Sequence, residues 1–99
     1  MAHRLTWSPA AAEHLAGICE YIARDSEMYA IIFARRVVAL VETIPRNPLA
    51  GRIVPEYSDR NLRERILGNC RIVYRVRRSE IEVAAICHCA RLITRVLEP

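Results

Sequence analysis

The 99 residues, 53% of them hydrophobic, suffice for one modest core and leave no room for a separate cofactor domain. The formal charge of +4 comes from 15 basic residues, every one an arginine. No lysine is present, which excludes a Schiff base or an ammonium general acid, while planar bidentate donors are plentiful.

The charge excess is confined to the C-terminal half, because Arg4, Arg24, Arg35, Arg36 and Arg46 are balanced by Glu13, Glu20, Asp25, Glu27 and Glu42. One domain over residues 1–99 is expected. No apolar run reaches the ~18 residues of a membrane span, and the N-terminus lacks the apolar stretch of a secretory signal, so a cytoplasmic protein without membrane contact is expected.

His3 to Trp7 reads as a short strand. Ser8 and Pro9 supply an N-cap hydroxyl and a proline at the first helical position. Ala11, Leu15, Ile18 and Ile22 recur at helical spacing, which predicts a helix from Pro9 to about Arg24. Ser26 can cap a second helix that carries Glu27 at the favourable end of its dipole and stops at Pro45. Its core stripe is Tyr29, Phe33, Val37, Leu40, Val41 and Ile44. Ile31, Ile32 and Val38 are left over and widen the apolar surface, either for burial on two sides or for an external partner.

The linker from Arg46 to Glu56 is rich in turn formers. Three strands follow, at about Leu62 to Ile66, Cys70 to Arg77 and Glu80 to His88. A two-residue loop at Gly68-Asn69 would put Arg63 and Arg65 on the face of Ile72 and Tyr74 and mix charge into the core. A three-residue loop, Leu67-Gly68-Asn69, avoids this and is the preferred register. Leu62, Ile66, Cys70, Ile72, Tyr74 and Val76 then face the helices, with Glu64 among them near the edge. Arg63, Arg65, Arg71, Arg75 and Arg77 line the other side.

Pairing Arg77 with Glu80 sets Arg75 opposite Glu82 and Arg71 opposite Ile86. Arg63, Arg65 and Arg71 remain without acidic partners and, with His88 and Arg91 at the sheet's end, form a candidate grip for an acidic ligand. The cysteines, Cys19, Cys70, Cys87 and Cys89, lack metal-site spacing. Alternation sends His88 away from its two flanking thiols, so reduced thiols and no metal or cofactor are expected. His3 and His14 read as surface residues. The expected class is α+β: an N-terminal strand, a helical hairpin and a three-stranded antiparallel meander (β-α-α-β-β-β), with the helices on one face of the sheet.

Several ordered motifs carry a resemblance that covers almost the whole chain: Trp7-Ser8-Pro9-Ala10-Ala11, Tyr21-Ile22-Ala23, Gly51-Arg52-Ile53-Val54-Pro55-Glu56, Arg63-Glu64, Gly68-x-x-Arg71-Ile72-Val73-Tyr74-Arg75-Val76 and His88-x-x-Arg91. The chain resembles the RelE/ParE toxin superfamily, most closely its ParE, or plasmid-stabilisation, branch. It departs at Cys70, where ParE-like sequences usually carry an aromatic residue.

The resemblance implies the toxin half of a type II toxin–antitoxin module, neutralised by a ParD-like antitoxin whose C-terminal segment wraps around it. ParE-like members are non-enzymatic poisons of DNA gyrase, and that reading is preferred. RelE-like members are ribosome-dependent mRNA endonucleases. On that alternative Arg71 and Glu56 would be the catalytic pair, but the lysines and the terminal tyrosine of such sites are missing.

A third reading needs no family: a basic module for nucleic acid or for an acidic peptide. Interleaved aromatics for a nucleic acid are lacking, and sequence-specific DNA binding by this chain alone is not expected. An extended antitoxin segment could cross the arginine-bearing sheet and continue along the second helix, contacting Arg63, Arg65, Arg71, His88, Arg91, Phe33 and Val37.

Overall fold

The computed structural model describes residues 3–97. Strand β1 (Arg4–Trp7) leads into helix α1 (Pro9–Ala23) and helix α2 (Glu27–Thr43), which tightens into a 3-10 turn at Ile44–Arg46. Strands β2 (Arg52–Ile53), β3 (Leu62–Leu67), β4 (Cys70–Val76) and β5 (Glu80–His88) follow, and a short helix α3 (Ile93–Leu97) ends the described chain. The class is α+β, as expected. The meander is extended at both sides: the sheet has five strands in the order β1-β5-β4-β3-β2, with β1 parallel to β5 and the other pairs antiparallel. The two-residue β2 and the five-residue α3 were not anticipated, because such short elements carry no readable period.

Both helix starts form where the caps predicted them. The Ser8 hydroxyl accepts from Ala11 N–H at 3.0 Å, and Ser26 accepts from Tyr29 N–H at 3.1 Å. Ser8 also donates to the Ala84 carbonyl at 3.1 Å, which ties the start of α1 to the sheet. The inner faces of α1 and α2 pack on one side of the sheet, where Ala11, Val37, Val41 and Ile44 meet Ile72, Tyr74, Ile81, Val83 and Ile86. Burying each large side chain there stabilises by roughly 1.5–3 kcal/mol.

The β3–β4 loop has two residues, not three: Leu67 pairs with Cys70 across Gly68-Asn69. Gly68 takes φ +58° while Asn69 stays at negative φ, the pattern of a II′ hairpin turn led by glycine. The preferred register therefore shifts by one residue. Arg63 stands opposite Tyr74 and Arg65 opposite Ile72, on the helix side. Leu62, Glu64, Ile66 and Arg71 point to the other side, together with Val73.

On the helix side the Arg63 charge stays out of the core, because β3 lies next to the short β2 and the Arg63 head group turns onto backbone carbonyls at the rim. It donates to Arg60 at 2.7 Å, Gly51 at 3.1 Å and Leu49 at 3.3 Å. A second register change lies in β5: Val73 pairs with Ala85 and Tyr74 with Val83, so Ala84 is an extra residue. This bulge keeps both Val83 and Ile86 on the helix side, and it places Arg71 opposite Cys87 rather than Ile86.

The far face of the sheet is not an open arginine surface. Val54, Leu62, Val73, Ala85, Cys87 and Ile93 form a second, smaller core there, flanked by Tyr57, Val96 and Leu97. Helix α3 and the β2–β3 connection cover it, so α1 and α2 occupy one face and α3 the other. All four cysteines are free thiols, with Cys87 buried and Cys89 exposed.

Candidate functional site

Arg71 stands at the centre of the only dense polar cluster among the described residues. It is 4% exposed, on the floor of the far face. Its Nη1 and Nη2 donate to the two Glu56 oxygens at 2.7 and 2.8 Å, a bidentate pair, and Nε donates to Glu64 Oε1 at 2.7 Å. Nη1 also donates to the Arg91 carbonyl at 2.9 Å, and Glu56 Oε2 accepts from Ile93 N–H at 2.8 Å. Glu64, 1% exposed, takes Arg52 on its other oxygen.

Two guanidiniums thus alternate with two carboxylates, and the group carries no net charge. The hydrogen bonds from Arg71 hold the Glu56 carboxyl down at about 2 against the opposing effect of burial, and those to Glu56 raise Arg71 above its ordinary value. Every nitrogen of the Arg71 guanidinium has an acceptor within this array. Its chemical capacity is structural: it locks the linker (Glu56), β3 (Glu64), β4 (Arg71) and the C-terminal segment (Arg91, Ile93) together.

The expected trio of free arginines is therefore divided. Arg71 is buried and paired on the far face, while Arg63 is fastened to the linker. Arg65, half-buried on the helix side, makes no ion pair with any described residue. Arg77 finds an acidic partner in Glu82 at 3.3 Å rather than in Glu80, which instead accepts from the Thr6 hydroxyl at 3.1 Å. His88 and Arg91 are exposed at the end of β5, where the backbone turns, with Arg91 N–H donating to the His88 carbonyl at 3.0 Å.

Val37 is 0% exposed in the main core and presents no contact surface. Phe33 does reach a surface groove of about 280 Å³, which runs between Ile18 and Ile22 of α1, Tyr29, Ile32 and Arg36 of α2, and the Leu67–Cys70 turn. The apolar surplus of α2 remains uncovered: Tyr29 is 59% exposed and Ile31 53%, with Ile32 and Val38 also exposed.

Three residues escaped the sequence reading. Glu64 was placed on the wrong face by the register error. Tyr74 faces the helices as expected, yet its hydroxyl leaves the core at the rim, donating to the Pro48 carbonyl at 2.7 Å and accepting from Gly51 N–H at 3.2 Å. His14 is half-buried rather than a free surface residue, and its Nδ1 accepts from Ile86 N–H at 3.2 Å. Nothing in its spacing on α1 signalled that contact, which depends on how α1 crosses β5.

This sheet, with its helical hairpin, is shared with solved structures. The chain is similar to a protein of the chromosomal ParDE toxin–antitoxin system from P. aeruginosa, at 21% identity, with 88% of this chain and 96% of that one covered and a TM-score of 0.73. It is also similar to the YoeB of a YoeB dimer from Staphylococcus aureus, at 22% identity over 89% and 97% of the two chains, with a TM-score of 0.56. No curated protein matches. The model of the family described as ParE toxin of type II toxin–antitoxin system, parDE, matches residues 5–93, and the chain belongs to that family.

Proposed function

We propose that this protein is the toxin of a toxin–antitoxin pair that acts by inhibiting DNA gyrase and is neutralised by a ParD-like antitoxin, not by cutting RNA. The observation that supports this most is the state of Arg71. An endonuclease would use Arg71 and Glu56 on an open sheet face, free to reach a ribose hydroxyl and a phosphate. Here they are bonded to each other, Arg71 donates further to Glu64 and the Arg91 carbonyl, and Glu56 accepts from Ile93 N–H. A carboxylate held at about 2 is also a poor proton acceptor near neutrality.

The antitoxin segment is assigned to the helix side. The groove beside Phe33 and the exposed Tyr29 and Ile32 suit the apolar side chains of an amphipathic peptide, with Arg36 on the wall for its acidic residues. Replacing Ile32, an exposed residue, by Asp is expected to leave the fold intact and to weaken antitoxin binding by about tenfold or more. Unchanged affinity in calorimetry would remove the groove from the interface. For the target, purified protein is expected to block gyrase supercoiling and to leave mRNA on translating ribosomes whole. Cleaved codons with gyrase untouched would reverse the assignment.

A further inference from the structure

Strand β1 ends at Trp7 opposite Val83, so the outer edge of β5 from Ala84 onward has no strand beside it. Helix α1 crosses there instead. A hollow of about 480 Å³ opens between the helix and the strand end, bordered by His14, Tyr21, His88 and Arg91 over a floor that includes Ile18 and Ile86. It opens beside α1, and the Arg91 segment that borders it also meets the buried Arg71 array through the Arg91 carbonyl.

The two imidazoles in this hollow are oriented alike by the backbone. His14 Nδ1 accepts from Ile86 N–H at 3.2 Å, and His88 Nδ1 accepts from Ala90 N–H at 3.0 Å. In a neutral ring an accepting Nδ1 requires the proton on Nε2, so each histidine offers an N–H donor from its other nitrogen. Burial and then the nearby Arg91 charge lower His14 basicity, with Glu13 opposing, which favours the neutral ring near pH 7. Arg91 adds an exposed guanidinium that makes no ion pair with the described residues.

We propose that this hollow binds a phosphate group, carried free or on a small nucleotide. Donors arrive from a helix, a strand end and the following turn, an arrangement that suits the several oxygens of a tetrahedral oxyanion better than a planar carboxylate. The apolar floor and the Tyr21 ring provide a surface for a base. Glu13 on the rim is an acceptor suited to a sugar hydroxyl rather than to the anion itself. The inference requires neither the antitoxin nor gyrase, so it stands or falls apart from the toxin reading.

Titration of the purified chain with inorganic phosphate, AMP and acetate, followed by the imidazole nitrogen resonances, tests it. Phosphate is expected to shift the Nε2 signals of both His14 and His88 saturably and to bind more tightly than acetate. Arg91→Gln and His88→Gln change exposed side chains, and each should weaken phosphate about tenfold. Tighter binding of AMP would assign the site to a nucleotide phosphate, and equal binding to the free anion. Absence of saturation, acetate binding as tightly as phosphate, or unchanged affinity in both variants would overturn the proposal.

Discussion

A single guanidinium, that of Arg71, joins four segments of the chain, and its environment makes stability depend on pH in a defined direction. The Glu56 carboxyl is depressed from its ordinary 4.5 to about 2 by the Arg71 hydrogen bonds. A group whose folded value is lowered contributes stability that is complete above its unfolded value and is lost as pH falls through the folded one. Urea midpoints are therefore expected to fall between about pH 4.5 and 2, and Glu56→Gln should be less stable at neutrality and less sensitive over that window. A variant as pH-sensitive as the parent would show that another group governs acid unfolding. Gly51 is a second residue under tight constraint. A Cβ there would lie 2.5 Å from the Tyr74 hydroxyl and 2.7 Å from the Glu64 carbonyl, so Gly51→Ala should cost about 1–3 kcal/mol in chemical denaturation.

At the scale of elements, a two-residue turn decides which chemistry each face of the sheet carries. Gly68 sits at φ +58° with open space around its Cα, so a side chain there is penalised by backbone strain alone. Gly68→Ala is expected to destabilise by about 1–2 kcal/mol, read from the thermal midpoint, without altering the register that the cores on both faces hold. Had the loop been three residues long, Glu64 and Arg71 would lie on opposite faces and their ion pair could not form. The bulge at Ala84 plays a comparable part in β5, by holding Val83 and Ile86 on one side while turning Cys87 to the other.

Across the whole molecule, two cores share one sheet. The larger is covered by α1 and α2, the smaller by α3 and the β2–β3 connection, and the Arg71 array borders the smaller. Ile93 is 0% exposed in that second core, and Ile93→Ala should cost about 2–5 kcal/mol. Because the sheet belongs to both cores, loss of the smaller should lower the single unfolding transition rather than create a separate one. A distinct early transition in calorimetry, or in protection of the C-terminal amides from exchange, would show that the C-terminal segment opens independently.

The sequence alone determined helices α1 and α2, their serine caps, four of the five strands and the α+β class, because capping and the periods of 3.6 and 2 are local properties of the chain. It also singled out Arg71, Glu56, His88 and Arg91, and the apolar excess on α2. Tertiary structure decided how these residues are used. Register, a bulge and a five-residue helix are settled by contacts between segments far apart in sequence, and they place Arg71 in a buried ion pair with Glu64 and Glu56 instead of on an open arginine face. The same contacts brought His14 beside His88 and Arg91. Pairing across a sheet depends on relative registry, and one residue of shift exchanges the two faces.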